Sequence, residues 1–176
     1  GGTASFSVMA NTLRGVYGTD VLLATTNSFT GSVLQADYNQ KMAASMIMPN
    51  GLMSRQRTMT GAELKETVRA FVEGCEGGFV PFNRGSLPVV SGIAVEVKEA
   101  NGSYTLTGIT RNGQPLGEND TVTVTCLATA KQMATLFPDE SSALADEDTW
   151  VKDTWRDYVS GGGAVLAEPE NYITLR

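Results

Sequence analysis

Thr58-Met59-Thr60-Gly61-Ala62-Glu63-Leu64-Lys65-Glu66-Thr67-Val68-Arg69-Ala70-Phe71-Val72-Glu73-Gly74 opens the stretch that decides the fold, and Val89-Val90-Ser91-Gly92-Ile93-Ala94-Val95-Glu96-Val97 closes it. Thr60 can cap the first N–H groups of a helix while Glu63, three residues on, reaches back to the Thr60 N–H, a reciprocal capping box. Leu64, Val68, Phe71 and Val72 then recur at helical spacing, with Glu63, Lys65, Glu66, Arg69 and Glu73 opposite them. The helix is therefore amphipathic and covers a sheet. Gly74 ends it. Beyond a glycine-rich loop, residues 89–97 turn to β-branched side chains with a two-residue alternation in their second half, which predicts one half-buried strand.

Upstream, Phe6, Met9, Leu13 and Val16 fall at three- and four-residue steps, a helix over Ala4 to Val16 that ends near Gly18. Asp20 to Thr26 is a short apolar run, as for a buried strand, and Asn27 to Ser32 is a loop at its carboxyl end, where open α/β sheets present ligand groups. A short helix over Asp37 to Ala44, a strand over Ser45 to Met48 stopped by Pro49-Asn50-Gly51, and a third strand over Met53 to Met59 follow. Gly77 to Pro88, with Phe79 and Phe82, reads as a packed flap. Downstream, Tyr104 to Thr110, an Asn112-Gly113 turn and Thr121 to Cys126 predict strand, turn, strand. A helix over Ala128 to Phe137, an amphipathic helix over Thr149 to Tyr158 ended by Gly161-Gly162-Gly163, and a strand over Tyr172 to Leu175 complete the chain. Helices alternate with short strands throughout. The expected class is α/β (α+β), a two-layer mixed β-sheet covered by helices.

At 176 residues the chain is most simply one domain, long enough to bury about 70% of its unfolded surface. A net charge of −6, with no basic run, argues against a nucleic-acid partner, and no apolar run approaches the ~20 residues of a membrane span. The sequence holds no histidine. A dinuclear phosphoesterase centre needs imidazole beside carboxylates, and Ser-His-Asp or Cys-His catalysis needs an imidazole base, so this chain builds neither. Cys75 and Cys126 permit at most one disulfide, or stand as two small buried thiols. Asp139, Glu140, Asp146, Glu147 and Asp148 read as charge at a helix N-terminus, not as metal ligands.

Thr60-Gly61-Ala62-Glu63-Leu64-Lys65-Glu66, Gly77-Gly78-Phe79 and Ser91 to Val97, with Asn112-Gly113-Gln114-Pro115-Leu116 before a strand, together resemble the C-terminal domain of the 5′-nucleotidase family. That family includes UDP-sugar hydrolases and 2′,3′-cyclic nucleotide phosphodiesterases. The resemblance implies a nucleotide or nucleoside ligand, its base sandwiched by aromatics and its polar groups held by arginines and an asparagine. It also implies an N-terminal metallophosphoesterase domain of the same protein that carries a divalent metal pair, with no cofactor in this chain, and an extracytoplasmic location. Residue by residue, Arg14 follows the family's leucine-arginine and Asn27 opens its asparagine-glycine loop. Ser32 stands where that loop has arginine, and Asn50 where the first stacking aromatic follows a proline. Phe137 falls near the second stacking position without the glycine loop that aims it, and reads more readily as core. Phe29 and Phe82 are loop aromatics that can serve as platforms or as buried caps. The implied pocket is thus partly degenerate, and a retained fold used as a non-catalytic interaction or structural module is the alternative.

Overall fold

The computed structural model describes residues 2–29, 45–47, 51–75, 87–140, 149–163 and 173–176. Four helices, α1 (Gly2–Tyr17), α2 (Gly61–Glu73), α3 (Ala130–Leu136) and α4 (Val151–Ser160), accompany nine strands among these residues. The strands are β1 (Val21–Thr25), β2 (Leu52–Thr60), β3 (Pro88–Ser91), β4 (Ala94–Ala100), β5 (Ser103–Arg111), β6 (Gln114–Pro115), β7 (Thr121–Thr129), β8 (Thr149–Trp150) and β9 (Ile173–Leu175). They form a five-stranded mixed sheet, β3-β1-β7-β2-β8, and a four-stranded one, β6-β5-β4-β9. β1 runs parallel to β7, and β4 parallel to β9. The mixed-sheet α/β architecture agrees with the sequence reading, and a second sheet is added to it.

Alternation along the strands of the large sheet divides its side chains between two cores. Val21, Leu23, Val90, Met53, Met59, Val122, Val124, Cys126 and Ala128 face one. Leu22, Ala24, Val89, Leu52 and Leu127 face the other. On the first face α2 contributes Leu64, Val68, Phe71 and Val72, and the small sheet adds Val95, Val97, Leu106 and Ile109 to the same core. On the second face lie Met9, Ala10 and Leu13 of α1 with Val151 and Trp155 of α4. Burying one such side chain contributes about 1.5–3 kcal/mol, so the two apolar helix faces and the alternating strands select this layering.

The capping box on α2 is formed. The Glu63 amide N–H donates to Thr60 Oγ1 at 3.2 Å, and the Thr60 N–H donates to Glu63 Oε2 at 2.7 Å. Its first residue must be glycine for a tertiary reason, because a Cβ on Gly61 would meet the Gly117 carbonyl oxygen at 1.9 Å. That close approach lets the Gly61 and Ala62 amides donate to the Asp120 and Glu118 carbonyls.

The single strand expected over residues 89–97 is two. β3 pairs with β1 in the large sheet and β4 with β5 in the small one, with Gly92 and Ile93 between them. Gly92 turns the chain at φ 86°, where a Cβ would lie 2.0 Å from the Asp20 carbonyl oxygen. The hairpin expected around Asn112-Gly113 is shorter than read. Asn112 and Gly113, at φ 52° and 77°, return β5 onto the two-residue β6, and β7 leaves for the centre of the large sheet. Of the strand expected over residues 45–48, residue 48 lies outside the described residues; residues 45 and 46 are not in a strand, and Ile47 makes one bridge to Phe29. The helix expected over Asp37 to Ala44 and the flap with Phe79 and Phe82 lie outside the described residues.

Candidate functional site

The structure describes three of the five residues singled out for ligand contact, Arg14, Asn27 and Phe137, and it puts them in three places. Ser32 and Asn50 lie outside the described residues. Arg14 sits in the last turn of α1, beside Asp20 at the start of β1, whereas Asn27 is exposed in the 3-10 turn Thr26–Ser28 that follows β1. A five-residue strand spans on the order of 16 Å, so Arg14 and Asn27 do not face one ligand across a loop. Arg14 is also committed locally: its Nε donates to Ser91 Oγ at 2.8 Å. Phe29, the candidate platform, is buried at 4% exposure, and its ring stacks on Phe6 at 6.1 Å. It is a core residue.

Phe137 closes α3 and packs half-buried on the core under two arginines of β2. The Arg55 and Arg57 guanidinium carbons lie 5.4 and 5.6 Å from its ring centroid, within cation–π range. Glu140, read from sequence as charge at a helix N-terminus, instead holds both arginines. Arg57 Nε donates to its Oε1 at 2.7 Å, Arg57 Nη2 to its Oε2, and Arg55 Nη1 to the same Oε2 at 3.2 Å. Arg55 is 1% exposed and Arg57 is half-buried. A guanidinium so deep in the fold persists only with ionic and hydrogen-bonding partners, because desolvating it alone would cost several kcal/mol.

Arg57, Phe137 and Glu140, though not the buried Arg55, rim a cleft of about 880 Å³ between β2, α2 and the chain after α3, lined also by Met59, Glu63 and Glu66. The volume suits a drug-sized or nucleoside-sized ligand. The cleft offers an aromatic ring and a guanidinium for binding. Desolvation pushes up the thiol of Cys75 at its rim, and outside the cleft the wholly buried Cys126 thiol is pushed up to about 12. Both cysteines are free, and Cys75 is exposed, so neither a disulfide nor a pair of buried thiols describes them. Among the described residues no three His, Cys, Asp or Glu side chains converge as a metal site, and the whole sequence lacks histidine. The described donors do not fit a divalent pair, which the resemblance implies for the N-terminal domain.

Arg55 and Arg57 escaped the sequence reading, and Glu140 was given a different role in it. The available signal was arginine at i and i+2 between Met53 and Met59, all on one face of an alternating strand. The carboxylate that makes this tolerable lies over eighty residues away, beyond any local pattern.

No protein-family model matches the sequence, and no curated protein does. Solved structures do match in fold. A 5′-nucleotidase precursor from Thermus thermophilus superposes with a TM-score of 0.60 at 14% identity, over 98% of this chain and 34% of that one. The sulfate thiohydrolase SoxB of Thermus thermophilus, in complex with glycerol, gives 0.61 at 12% identity over 96% and 31%. The NAD nucleotidase NadN of Haemophilus influenzae gives 0.60 at 14% over 99% and 33%. This chain has the fold of the C-terminal domain of those proteins, in which an N-terminal domain accompanies it. It spans about a third of their length.

Proposed function

We propose that this chain is the C-terminal, ligand-gripping domain of a larger 5′-nucleotidase-type phosphoester hydrolase, in which a divalent metal pair and the hydrolytic step belong to an N-terminal metallophosphoesterase domain. One observation carries the reading: the fold match takes in nearly all of this chain but only a third of each neighbour, and this chain has no imidazole for such chemistry. The ligand is a nucleotide or nucleoside, and the cleft beside Phe137 and Arg57 is its best-supported seat. A base stacked on one aromatic face gains about 1–3 kcal/mol, and a guanidinium fork fits phosphate oxygens. The pocket is partly degenerate, since Ser32 and Asn50 replace an arginine and an aromatic of the resembled pattern. The parent protein acts outside the cytoplasm, which fractionation of the producing cells tests.

Isothermal titration of the 176-residue chain with a panel of nucleosides and nucleotides checks the binding role. Saturable heat with one of them, weakened about tenfold or more in Phe137→Ala, is the expected result. Absence of heat from a folded chain at near-millimolar concentration removes that role and leaves a second reading, a non-catalytic interaction or structural module. One observation favours the second: Glu140 already occupies the Arg55 and Arg57 forks that a phosphate would use.

A further inference from the structure

At the other end of β1, Arg14 and Arg111 converge on Asp20. Arg111 Nη2 donates to Asp20 Oδ1 at 2.6 Å, and Arg14 Nη1 donates to the Asp20 carbonyl at 3.4 Å. Each fork is held from behind. Ser91 Oγ accepts from Arg14 Nε at 2.8 Å and itself donates to Asn11 Oδ1 at 2.5 Å. Asp20 Oδ2 accepts from the Thr123 amide and hydroxyl at 2.9 and 3.0 Å, which fixes the carboxylate that aligns Arg111.

A guanidinium carries more N–H donors than these contacts use. Arg14 and Arg111 both line a polar cleft of about 490 Å³ whose other walls include Gly92, Asn112 and Gly113. Two guanidinium charges against one carboxylate leave this cleft positive in a chain of net charge −6. Arg111 keeps 32% of its side chain exposed, so an ion from solvent reaches it.

We propose that this cleft binds a tetrahedral oxyanion, inorganic phosphate or the phosphate group of a monoester, between the Arg14 and Arg111 forks. Planar forks match phosphate oxygens in pairs, and forks already held by protein partners lose little freedom on binding. The one acidic group on the cleft, Asp20, has both oxygens engaged by donors, which limits its repulsion of the anion. The site lies on different elements from the Phe137 cleft and stands or falls apart from the nucleotide reading.

The test is an amide NMR titration of the chain with inorganic phosphate, with sodium chloride making up constant ionic strength and glycerol phosphate as a parallel arm. Saturable shifts at Gly92, Asn112 and Gly113 are expected, with a dissociation constant in roughly the millimolar range, weakened about tenfold in Arg111→Gln. Arg111→Lys keeps the charge but not the fork; it should also weaken binding, and it decides the matter if Arg111→Gln fails to fold. Tighter binding of the monoester assigns the site to a phosphorylated molecule, and equal binding assigns it to the free ion. Shifts that merely track chloride, or that persist unchanged in a folded Arg111→Lys, overturn the proposal. Phe137→Ala should leave these shifts in place.

Discussion

Two arginine pairs in this molecule use the same side chain in opposite ways. Arg55 and Arg57 come from neighbouring positions on one strand, lie against Phe137 and share Glu140, with Arg55 almost wholly inside. Arg14 and Arg111 come from distant elements, meet at Asp20 and line an open cleft. The first pair is satisfied by the fold itself, whereas the second is anchored on one side and open to solvent on the other. Local sequence does not separate them. What separates them is how much of each guanidinium the fold removes from water, which decides whether its partner must be a protein carboxylate or can be an ion from outside.

The contrast can be broken hardest at Gly92, on the wall of the open cleft. Gly92→Ala would set a Cβ against the Asp20 carbonyl oxygen in a backbone conformation that favours glycine, and we expect a loss of about 3–5 kcal/mol in urea unfolding. A loss below about 1 kcal/mol would show that the crossing between the sheets is loosely held and that the cleft is not preformed.

Next in size, Glu140→Ala should cost about 2 kcal/mol, because it withdraws a carboxylate from a buried guanidinium. The same variant sharpens the contrast through Cys126, which lies opposite Arg55 in the β2–β7 register. In the native chain iodoacetamide should label the exposed Cys75 and spare Cys126, and the variant should label Cys126 faster. Labelling of Cys126 at the same rate as Cys75 in the native chain would mean that the closed pair is not closed.

Asp20 supplies a pH signature for the open pair. The Thr123 amide above all, opposed by partial burial and assisted by the Thr123 hydroxyl, Arg111 and Arg14, holds its carboxyl below the ordinary 3.8. A depressed folded-state pKa adds stability that is present above the unfolded value and lost as pH falls through the folded one. Stability should therefore decline below about pH 4, and Asp20→Asn should remove part of that slope. At pH 7 the substitution should cost about 0.5–1 kcal/mol, a figure reduced for solvent screening at this half-exposed site. A slope unchanged in Asp20→Asn would detach Asp20 from the network.

The smallest effect belongs to a third arrangement, Arg69 between Glu66 and Glu73 on the outer face of α2. Arg69→Ala should change stability by less than about 0.5 kcal/mol, since exposed pairs at helical spacing are screened. A larger loss would show that burial is not what ranks these arginines.

Much of the fold was legible locally. The Thr60/Glu63 cap, the apolar stripe of α2, the run at Val21 to Thr25 and the Asn112-Gly113 turn each depend on residues within a few positions of one another. The break of the 89–97 strand was not legible, because Gly92 is demanded by the Asp20 carbonyl, seventy-odd residues earlier in the chain. The candidate site was less legible still. Phe137 was visible as an aromatic near a helix end, but its partners Arg55, Arg57 and Glu140 meet only through the β2–β7 pairing and the turn after α3. Arg14 was visible through the family resemblance, while nothing local marked Arg111, which shares its cleft.

By itself the sequence determined the alternation of helices and strands, the faces they bury, and the lack of any imidazole, since periodicity, caps and composition are properties of neighbouring residues or of the count alone. Tertiary structure alone decided that the chain makes two sheets that share a core with α2, that Arg14 and Asn27 lie at opposite ends of β1, and which arginines are enclosed and which are open. Those outcomes depend on contacts between residues distant in the chain, where one carbonyl or carboxylate determines what its neighbour can be, and no spacing along the sequence encodes them.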